Sequence, residues 1–400
     1  MKVLLANKFF FPNGGSETVL FQERSHLVAS GVEVVDFSMQ DVRNLPSSYS
    51  PHFVSNRQYR AGQGKLRSVG AAVSMVHSPE AVRRIGKLLD ETKPDLMHCH
   101  NIYHQLTPSI IRAAKLRGVP VVLTLHDYKV VCPVHSRLRH GAPCSQCLEG
   151  NFFRVAANRC EQGSLAKSML LYAEAAVQRA LRSYEQVDRF IAPSLFMLQA
   201  VSHRFAKERI SLLYNGIDTM HSRPSARDGN YVLYFGRLSS EKGAETLLQA
   251  QELARGTWAL VIAGTGPLER MLRSRYPYAT FVGHLSSESL KETIANASLV
   301  VVPSRWYENC SMSVLEAMAH GKAVVGTTMG GIPELVADGK TGCLFNAGRA
   351  DQLAEIVGRL MNDDVLRASM GTAGRDRVQK NFSLDAHHVG LLEIYRSVCQ

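Results

Sequence analysis

Short, unbroken apolar runs rich in Val, Ile and Leu recur along the chain. Between them lie longer stretches whose apolar residues return every three or four positions. Runs of the first kind fit strands buried on both faces, and stretches of the second kind fit helices with one buried stripe. One series of strand-like runs holds "KVLLAN" (2–7), "VEVVDFS" (32–38), "DLMHCH" (95–100), "VPVVLTLH" (119–126) and "VDRFIAP" (187–193). A second holds "YVLYFG" (231–236), "WALVIAG" (258–264), "TFVGH" (280–284), "LVVVPS" (299–304) and "AVVGTT" (323–328). Helical patterns such as "ETLLQAQELA" (245–254) separate them. Alternation of this kind predicts parallel, doubly wound α/β sheets, and two series predict two Rossmann-like domains. Ligands then sit at the carboxyl ends of strands, where loops meet helix N-termini. The domains are placed at 1–205 and 206–383, with the linker near "YNGIDTMHSRPSARDGN" (214–230), a stretch rich in turn formers. "HHVGLLEIYRSV" (387–398) has helical periodicity, and a helix over 384–400 is expected to dock back on the first domain.

Composition narrows the class. A chain of 400 residues suggests two domains, and 45% apolar with 20% charged residues is ordinary for a globular protein. The opening "MKVLLANKFF" is not a signal peptide, because Lys8 interrupts a short apolar run. No stretch has the length of uncharged apolar sequence that a membrane span needs, so the expected location is cytoplasmic. The net charge of +11 is uneven: residues 1–190 hold 24 Lys/Arg and 15 Asp/Glu (+9), and residues 191–400 hold 22 and 20 (+2). The basic half should meet phosphates or an anionic membrane surface, with "RQYRAGQGKLR" (57–67) as its densest cluster. The same cluster also reads as a solvated loop. It lacks regularly spaced stacking aromatics, which argues against nucleic acid.

The segment "ENCSMSVLEAMAHG" (308–321) carries the most chemistry. It follows the strand "LVVVPS", and a helix should begin near Ser311 to Ser313. Ser313 and Glu316 fit a capping box, so Glu316 has a purely structural reading. The alternative is a ligand site. The helix N-terminus would favour a phosphate, Glu308 on the loop could reach hydroxyls of its substituent, and Glu316 could accept from a ribose. In "FGRLSSEKG" (235–243), Arg237 and Lys242 fall in the first strand-to-helix loop of the second domain, where two cations fit a diphosphate or are merely surface charges. "AGTGPLE" (263–269) is no dinucleotide fingerprint, since Glu269 stands where the third Gly belongs. In the first domain, Gly14 and Gly15 of "FFPNGGSE" would let backbone approach a ligand, and "TLHDYK" (124–129) ends a strand with His126 and Asp127. "HCHNIYH" (98–104) has metal-like spacing but no carboxylate nearby in sequence, and reads as a strand end and loop.

"NGID", "FGRLSSEKG", "VIAGTGPLE", E-x7-E as "ENCSMSVLE", "EAMAHGKAVV" and "GGIPELV" occur in that order. With "GGSE" and "LHD" they make the chain resemble a family 4 retaining glycosyltransferase of the GT-B type, with two Rossmann-like domains facing each other across a cleft. The resemblance covers nearly the whole chain and is most specific in the second domain. It implies that Glu308 contacts the donor sugar and Glu316 the ribose, and that Arg237 and Lys242 hold the diphosphate. It implies that Asn309, Cys310, Ser311 and Met312 offer backbone N–H groups to sugar and phosphate, and that His126 sits beside the reacting sugar. Gly14 and Gly15 would lie near the distal phosphate, and Gly283, His284 and Leu285 would read the base through the backbone. "GGIPELV" would shape the site, with no role for Glu334. The implied activity moves a sugar from a nucleotide-diphosphate sugar to a glycan or lipid-linked oligosaccharide, in cell-envelope polysaccharide synthesis at the inner membrane face. The departing nucleotide's charge needs stabilisation, which Arg237, Lys242 and the helix start could supply with no catalytic cofactor. No D-x-D motif occurs to bind a metal. A two-Rossmann sugar-nucleotide epimerase and a non-catalytic nucleotide-sugar binding protein are the competing readings.

Cys132, Cys144, Cys147 and Cys160 crowd into thirty residues after the His126–Asp127 loop. Cys144-x-x-Cys147 has metal-hairpin spacing, and the outer pair could complete a four-thiolate tetrahedron around a structural zinc. Scattered reduced cysteines are the plainer alternative.

Overall fold

The computed structural model describes residues 1–56, 75–222 and 228–400. The basic cluster at 57–67 and part of the expected linker lie outside the described residues.

The apolar runs form two six-stranded parallel sheets. The first contains β1 (Lys2–Ala6), β2 (Glu33–Phe37), β3 (Leu96–Cys99), β4 (Val121–Thr124), β7 (Arg189–Ala192) and β8 (Ile210–Leu212), in the order β2-β1-β3-β4-β7-β8. The second contains β9 (Tyr231–Phe235), β10 (Ala259–Ala263), β11 (Thr280–Gly283), β12 (Leu299–Val302), β13 (Ala323–Thr327) and β14 (Gly342–Phe345), in the order β11-β10-β9-β12-β13-β14. Between β4 and β7 a two-stranded hairpin pairs β5 (Leu138–Arg139) with β6 (Ala142–Pro143). The first sheet runs past the expected boundary at residue 205, because β8 pairs with β7 in register Phe190–Ile210 to Ala192–Leu212. β8 escapes the sequence pattern because "ISL" is too short and only Ile210 in it is buried.

Both sheets are covered on both faces, as continuous apolar strands require. One face of the first sheet packs Leu4, Ala6, Met97 and Leu123 against Ile85, Leu88 and Ile110. The other packs Val3, Leu5, Leu96 and Val122 against Leu20 and Leu27 of helix Gly15–Ala29 and against Leu391 and Tyr395 of helix Leu384–Cys399. The C-terminal helix thus crosses from the second domain to the first. Leu391 and Tyr395 are fully buried there, each adding about 1.5–3 kcal/mol of apolar burial. Serine caps start several helices. Ser78, Ser164, Ser194 and Ser383 each accept the backbone N–H three residues on.

The strand orders fix where a ligand can sit. In an open α/β sheet the crevice lies at the carboxyl ends, where successive crossovers part in opposite directions. In the second sheet that point falls between β9 and β12, and in the first between β1 and β3. The loops after β9 and β12 carry Arg237, Lys242 and Glu308, while those after β1 and β3 carry Gly14, Gly15 and His100.

Candidate functional site between the two domains

The segment after β12 turns at Glu308 and enters helix Met312–Ala319. Glu308 is 7% exposed, and its Oε1 accepts from Lys242 Nζ at 2.7 Å and from Ser304 Oγ at 2.6 Å. Burial pushes its carboxyl up. The Lys242 charge outweighs this, helped by hydrogen bonds from Lys242 and Ser304, and holds Glu308 below the usual carboxylate range. The ammonium of Lys242 also lies 4.9 Å from the centroid of the Trp306 ring. Lys242 and Glu308 come together because Gly243 packs on Pro303 at the end of β12 and Arg305 N donates to Glu241 O at 2.8 Å.

Arg237 sits in the same loop, exposed, its carbonyl held by Tyr234 Oη at 2.8 Å. No hydrogen bond or ion pair engages its guanidinium among the described residues. The two cations are therefore unequal: one is committed to Glu308 and the other is free for a ligand.

Glu316 is not a cap. The helix N-cap is Ser311, with no side-chain hydrogen bond, and Ser313 Oγ instead faces Phe235 O at 3.5 Å. The capping-box reading fails because the helix begins one residue before Ser313. Glu316 is half-buried, and no protein group among the described residues bonds its carboxylate. Burial pushes its pKa up to about 7.

The first domain meets this segment directly. Helix Gly15–Ala29 starts opposite helix Met312–Ala319, and a Cβ placed on Gly15 would lie 3.7 Å from Met312 Cγ. Asn309 Nδ2 donates to the carbonyl of His126 at 2.6 Å, tying the Glu308 loop to the end of β4. Ser311 and Cys310 are buried, and Cys310 O accepts from Asn215 Nδ2 at 3.4 Å. His126 is half-buried, and its Nε2 lies 2.8 Å from His100 Nδ1. Burial takes its pKa down to about 4. Gly283 ends the edge strand β11 with φ 73°, followed by exposed His284 and half-buried Leu285.

Three features were invisible in the sequence. Glu334 bridges the domains: its carboxylate accepts from Leu195 N at 2.6 Å, Phe196 N at 2.8 Å and Tyr214 Oη at 2.9 Å, at the start of helix Leu195–Ser202. The "GG" before it is needed for close packing, since a Cβ on Gly331 would run into the Asn309 carbonyl. Arg137, from the cysteine-rich segment, stacks at 4.9 Å from Tyr128, 5.2 Å from Phe196 and 4.5 Å from Tyr307, so it joins both domains. And "HCHNIYH" does have a carboxylate neighbour in space: Glu23 Oε2 lies 3.6 Å from His98 Nδ1 and 3.4 Å from His100 Nε2. The capping serines and Gly-Gly pair were readable locally, whereas these contacts join residues far apart in sequence.

Cys132, Cys144, Cys147 and Cys160 line one small cavity of about 10 Å³. Burial raises the Cys132 thiol to about 11 and the Cys147 thiol to about 12. Among the described residues, the group of three or more His, Cys, Asp or Glu with ligand atoms all within 4.8 Å of one another is Glu23, His98 and His100. The four thiols meet around that one cavity, where Cys132, Cys144 and Cys160 all lie close enough to raise Cys147, but no three of the sulfurs lie within 4.8 Å of one another. Glu23, His98 and His100 are already tied into hydrogen bonds, including His98 Nδ1 to Tyr395 Oη at 2.7 Å and His387 Nε2 to Glu23 Oε1 at 3.0 Å. No helix among the described residues is long and apolar enough to cross a membrane.

Two doubly wound domains, joined across the carboxyl ends of their sheets and lined with paired carboxylates and cations, define a GT-B architecture. The chain belongs to glycosyltransferase family 4: the model "Glycosyltransferase Family 4" matches residues 13–221, and "Glycosyl transferases group 1" matches 229–363. It is similar to alpha-maltose-1-phosphate synthase of Mycolicibacterium smegmatis, 26% identical over 372 residues, covering 85% of each chain. It is 34% identical over 188 residues to alpha-D-kanosaminyltransferase of Streptomyces kanamyceticus, covering 45% of this chain and 48% of that one. Its fold matches sucrose-phosphate synthase from Thermosynechococcus elongatus with a TM-score of 0.72 at 22% identity, over 99% of this chain and 98% of that one. Anabaena HepE in complex with UDP matches with a TM-score of 0.70 at 19% identity, over 99% and 100%.

Proposed function

We propose that the protein transfers a sugar from a nucleotide-diphosphate sugar to a glycan or lipid-linked acceptor, with retention at the anomeric carbon and without a catalytic metal. One observation carries this reading. Glu308, ionised beside Lys242, stands at the start of helix Met312–Ala319 while its neighbour Asn309 bonds the carbonyl of His126 in the other domain. The two groups that this reading turns toward the sugar, Glu308 and His126, thereby belong to one joined segment next to a helix N-terminus, where a diphosphate is favoured. Arg237 supplies an uncommitted fork for that diphosphate, and Glu316 an unpartnered acceptor for ribose hydroxyls. HepE has been solved with UDP-glucose, which makes a nucleoside-diphosphate sugar a reasonable donor here.

In this reaction the bond between the anomeric carbon and the diphosphate oxygen breaks. The acceptor hydroxyl attacks from the same face, and its proton passes to the departing phosphate oxygen. Arg237, Lys242 and the helix start stabilise the charge that develops on the diphosphate. The basic first half of the chain would bring the enzyme to the anionic inner face of the membrane, near lipid-linked acceptors.

The test is a panel of nucleotide sugars scored by thermal shift and then by turnover. One donor should raise the melting temperature and be consumed in the presence of EDTA. Binding of a donor without turnover, or interconversion of the sugar while still nucleotide-bound, would replace this reading with the binding protein or the epimerase, and failure of every donor to bind would refute all three. Binding to anionic vesicles should fall steeply with salt; absence of binding at low salt would remove the membrane contact.

A further inference from the structure

Behind His126 lies a buried polar cluster assembled from distant parts of the chain. Helix Gly15–Ala29 contributes Glu23, β3 contributes His98 and the loop after it His100, and helix Leu384–Cys399 contributes His387 and Tyr395. All of these side chains are nine-tenths or more buried. Glu23 Oε1 pairs with His387 Nε2 at 3.0 Å, and Glu23 Oε2 faces His100 Nε2 at 3.4 Å. Glu23 Oε2 and His100 Nε2 have no hydrogen-bond partner, so they face each other at 3.4 Å as a buried charge–dipole pair outside hydrogen-bond geometry. Both ring nitrogens of His98 are committed, to Tyr395 Oη at 2.7 Å and to Thr124 Oγ1 at 2.8 Å. The chain from Glu23 to the site therefore runs through His100, whose Nδ1 lies 2.8 Å from His126 Nε2.

Charge at the Glu23 end and a hydrogen bond at the His126 end set the protons along this chain. Burial alone would raise the Glu23 carboxyl. The hydrogen bond from His387, with the charge on that ring, opposes this and holds the Glu23 carboxyl below its usual range. Burial would also lower His387, but its bond to Glu23 raises it above an ordinary imidazole. His98, His100 and His126 are all driven by burial toward the neutral form, with the charge of Lys8 adding to this at His126. His388, further along the same helix, is occupied with Ser30 Oγ at 2.8 Å. An ionised carboxylate only accepts, and a neutral imidazole has one donor and one acceptor nitrogen. The Glu23 charge facing Nε2 at 3.4 Å favours the His100 proton on that nitrogen, which leaves Nδ1 to accept. His126 must donate from Nε2, which leaves Nδ1 bare. That atom is not among the buried polar atoms lacking a partner, and no protein group among the described residues bonds it.

We propose that Glu23 is a positioning residue which, acting through His100, holds His126 in its Nε2–H tautomer, so that Nδ1 accepts a hydrogen bond from a hydroxyl of the donor sugar. This rests on the reading of His126 as the sugar-side histidine. The device is directional. A carboxylate at one end of two neutral imidazoles sets the polarity of the atom at the other end, inside a low-dielectric interior where the opposite tautomer would leave Glu23 Oε2 facing a lone pair.

Glu23→Gln tests it, because the amide keeps the shape but can donate to His100 Nε2 and reverse the chain. The readout is the ¹⁵N spectrum of the imidazole rings in ligand-free protein, with the His126 signals identified by their loss in His126→Gln. In the wild type, His126 should show the Nε2–H pattern, and in Glu23→Gln the Nδ1–H pattern. Turnover should fall roughly tenfold to a hundredfold, as when a partner that orients a functional histidine is lost, with donor KM changing less. Glu23→Asp should retain the wild-type tautomer and part of the activity. Wild-type His126 in the Nδ1–H form, or an unchanged tautomer in Glu23→Gln, overturns the proposal. So does a stoichiometric metal ion in the purified protein that is lost in Glu23→Gln. Should Glu23→Gln fail to fold, the wild-type tautomer and His100→Gln, which breaks the chain one step later, decide the matter. The tautomer needs no turnover to be read, so a protein that shows it but transfers no sugar refutes the proposed function and leaves this inference standing.

Discussion

The two domains present opposite kinds of surface to their junction. On the second domain, the Arg237 guanidinium and the Glu316 carboxylate have no protein partner among the described residues. On the first, polar groups are spent on one another: His126 on His100, Lys129 on Glu174 at 2.6 Å, and Asp127 on the backbone N–H of Lys129 at 2.9 Å. A surface with free valences is built to take a charged, invariant ligand such as a diphosphate. One whose groups are internally satisfied holds a geometry and leaves few atoms to bind with. The difference teaches that donor binding should be sensitive to single side chains of the second domain, while changes in the first should act through orientation.

The largest effect should come from Glu308→Gln. Removing the carboxylate takes the charged partner from Lys242 and, with it, the proposed sugar contact, so turnover should fall by about two orders of magnitude or more, with the fold retained by circular dichroism. Near-wild-type turnover would remove Glu308 from the chemistry and dissolve the contrast.

Next, Arg237→Ala should weaken the donor and the free nucleoside diphosphate by about tenfold to a hundredfold, the range of a lost charge-assisted hydrogen bond. It should barely touch the nucleoside alone. Equal losses for both in a calorimetric titration would show that Arg237 does not meet phosphate.

That contrast also explains what was legible in the sequence. Ten of the strand runs and the helix after Glu308 were readable because each is a local pattern, as were Arg237, Lys242, Glu308 and Glu316, which fall at predicted strand ends and early helix turns. Glu23 and His387, 364 positions apart, were not readable, nor were Glu334 and Leu195, 139 apart. Nothing in the residues around Glu23 distinguishes it from a surface carboxylate on an amphipathic helix until the C-terminal helix is laid across it. The cysteine cluster, by contrast, was legible from local spacing, and its four members do meet around one cavity.

A smaller effect should appear as pH dependence. Glu316 has a pKa near 7 because burial disfavours its charge. Its folded value lies above its unfolded one, so it favours the ligand-free fold most at low pH, and that contribution is lost as pH rises through about 7. Binding of a ribose that needs the carboxylate releases a proton, so donor affinity should rise with pH and level off above 7. A nucleotide sugar, whose diphosphate does not titrate in this range, should bind up to roughly thirtyfold more tightly at pH 8 than at pH 5.5. Glu316→Gln should flatten the curve; a curve unchanged in the variant would place the titrating group elsewhere.

The smallest effect concerns the clamp between domains. Glu334→Ala removes the acceptor for Leu195 and Phe196, worth about 1 kcal/mol for a lost helix cap. Hydrogen exchange at those two amides should quicken by roughly fivefold for that energy, with little change at amides of β1 or β9. Unchanged exchange would mean that the contact does not hold the domains together.

The most direct test of the central claim is proton NMR of the anomeric signal during turnover of the preferred donor in EDTA. The account expects the first product to carry the donor's own anomeric configuration at an undiminished rate. An inverted product, or a reaction that stops until Mg²⁺ or Mn²⁺ is added, would contradict it.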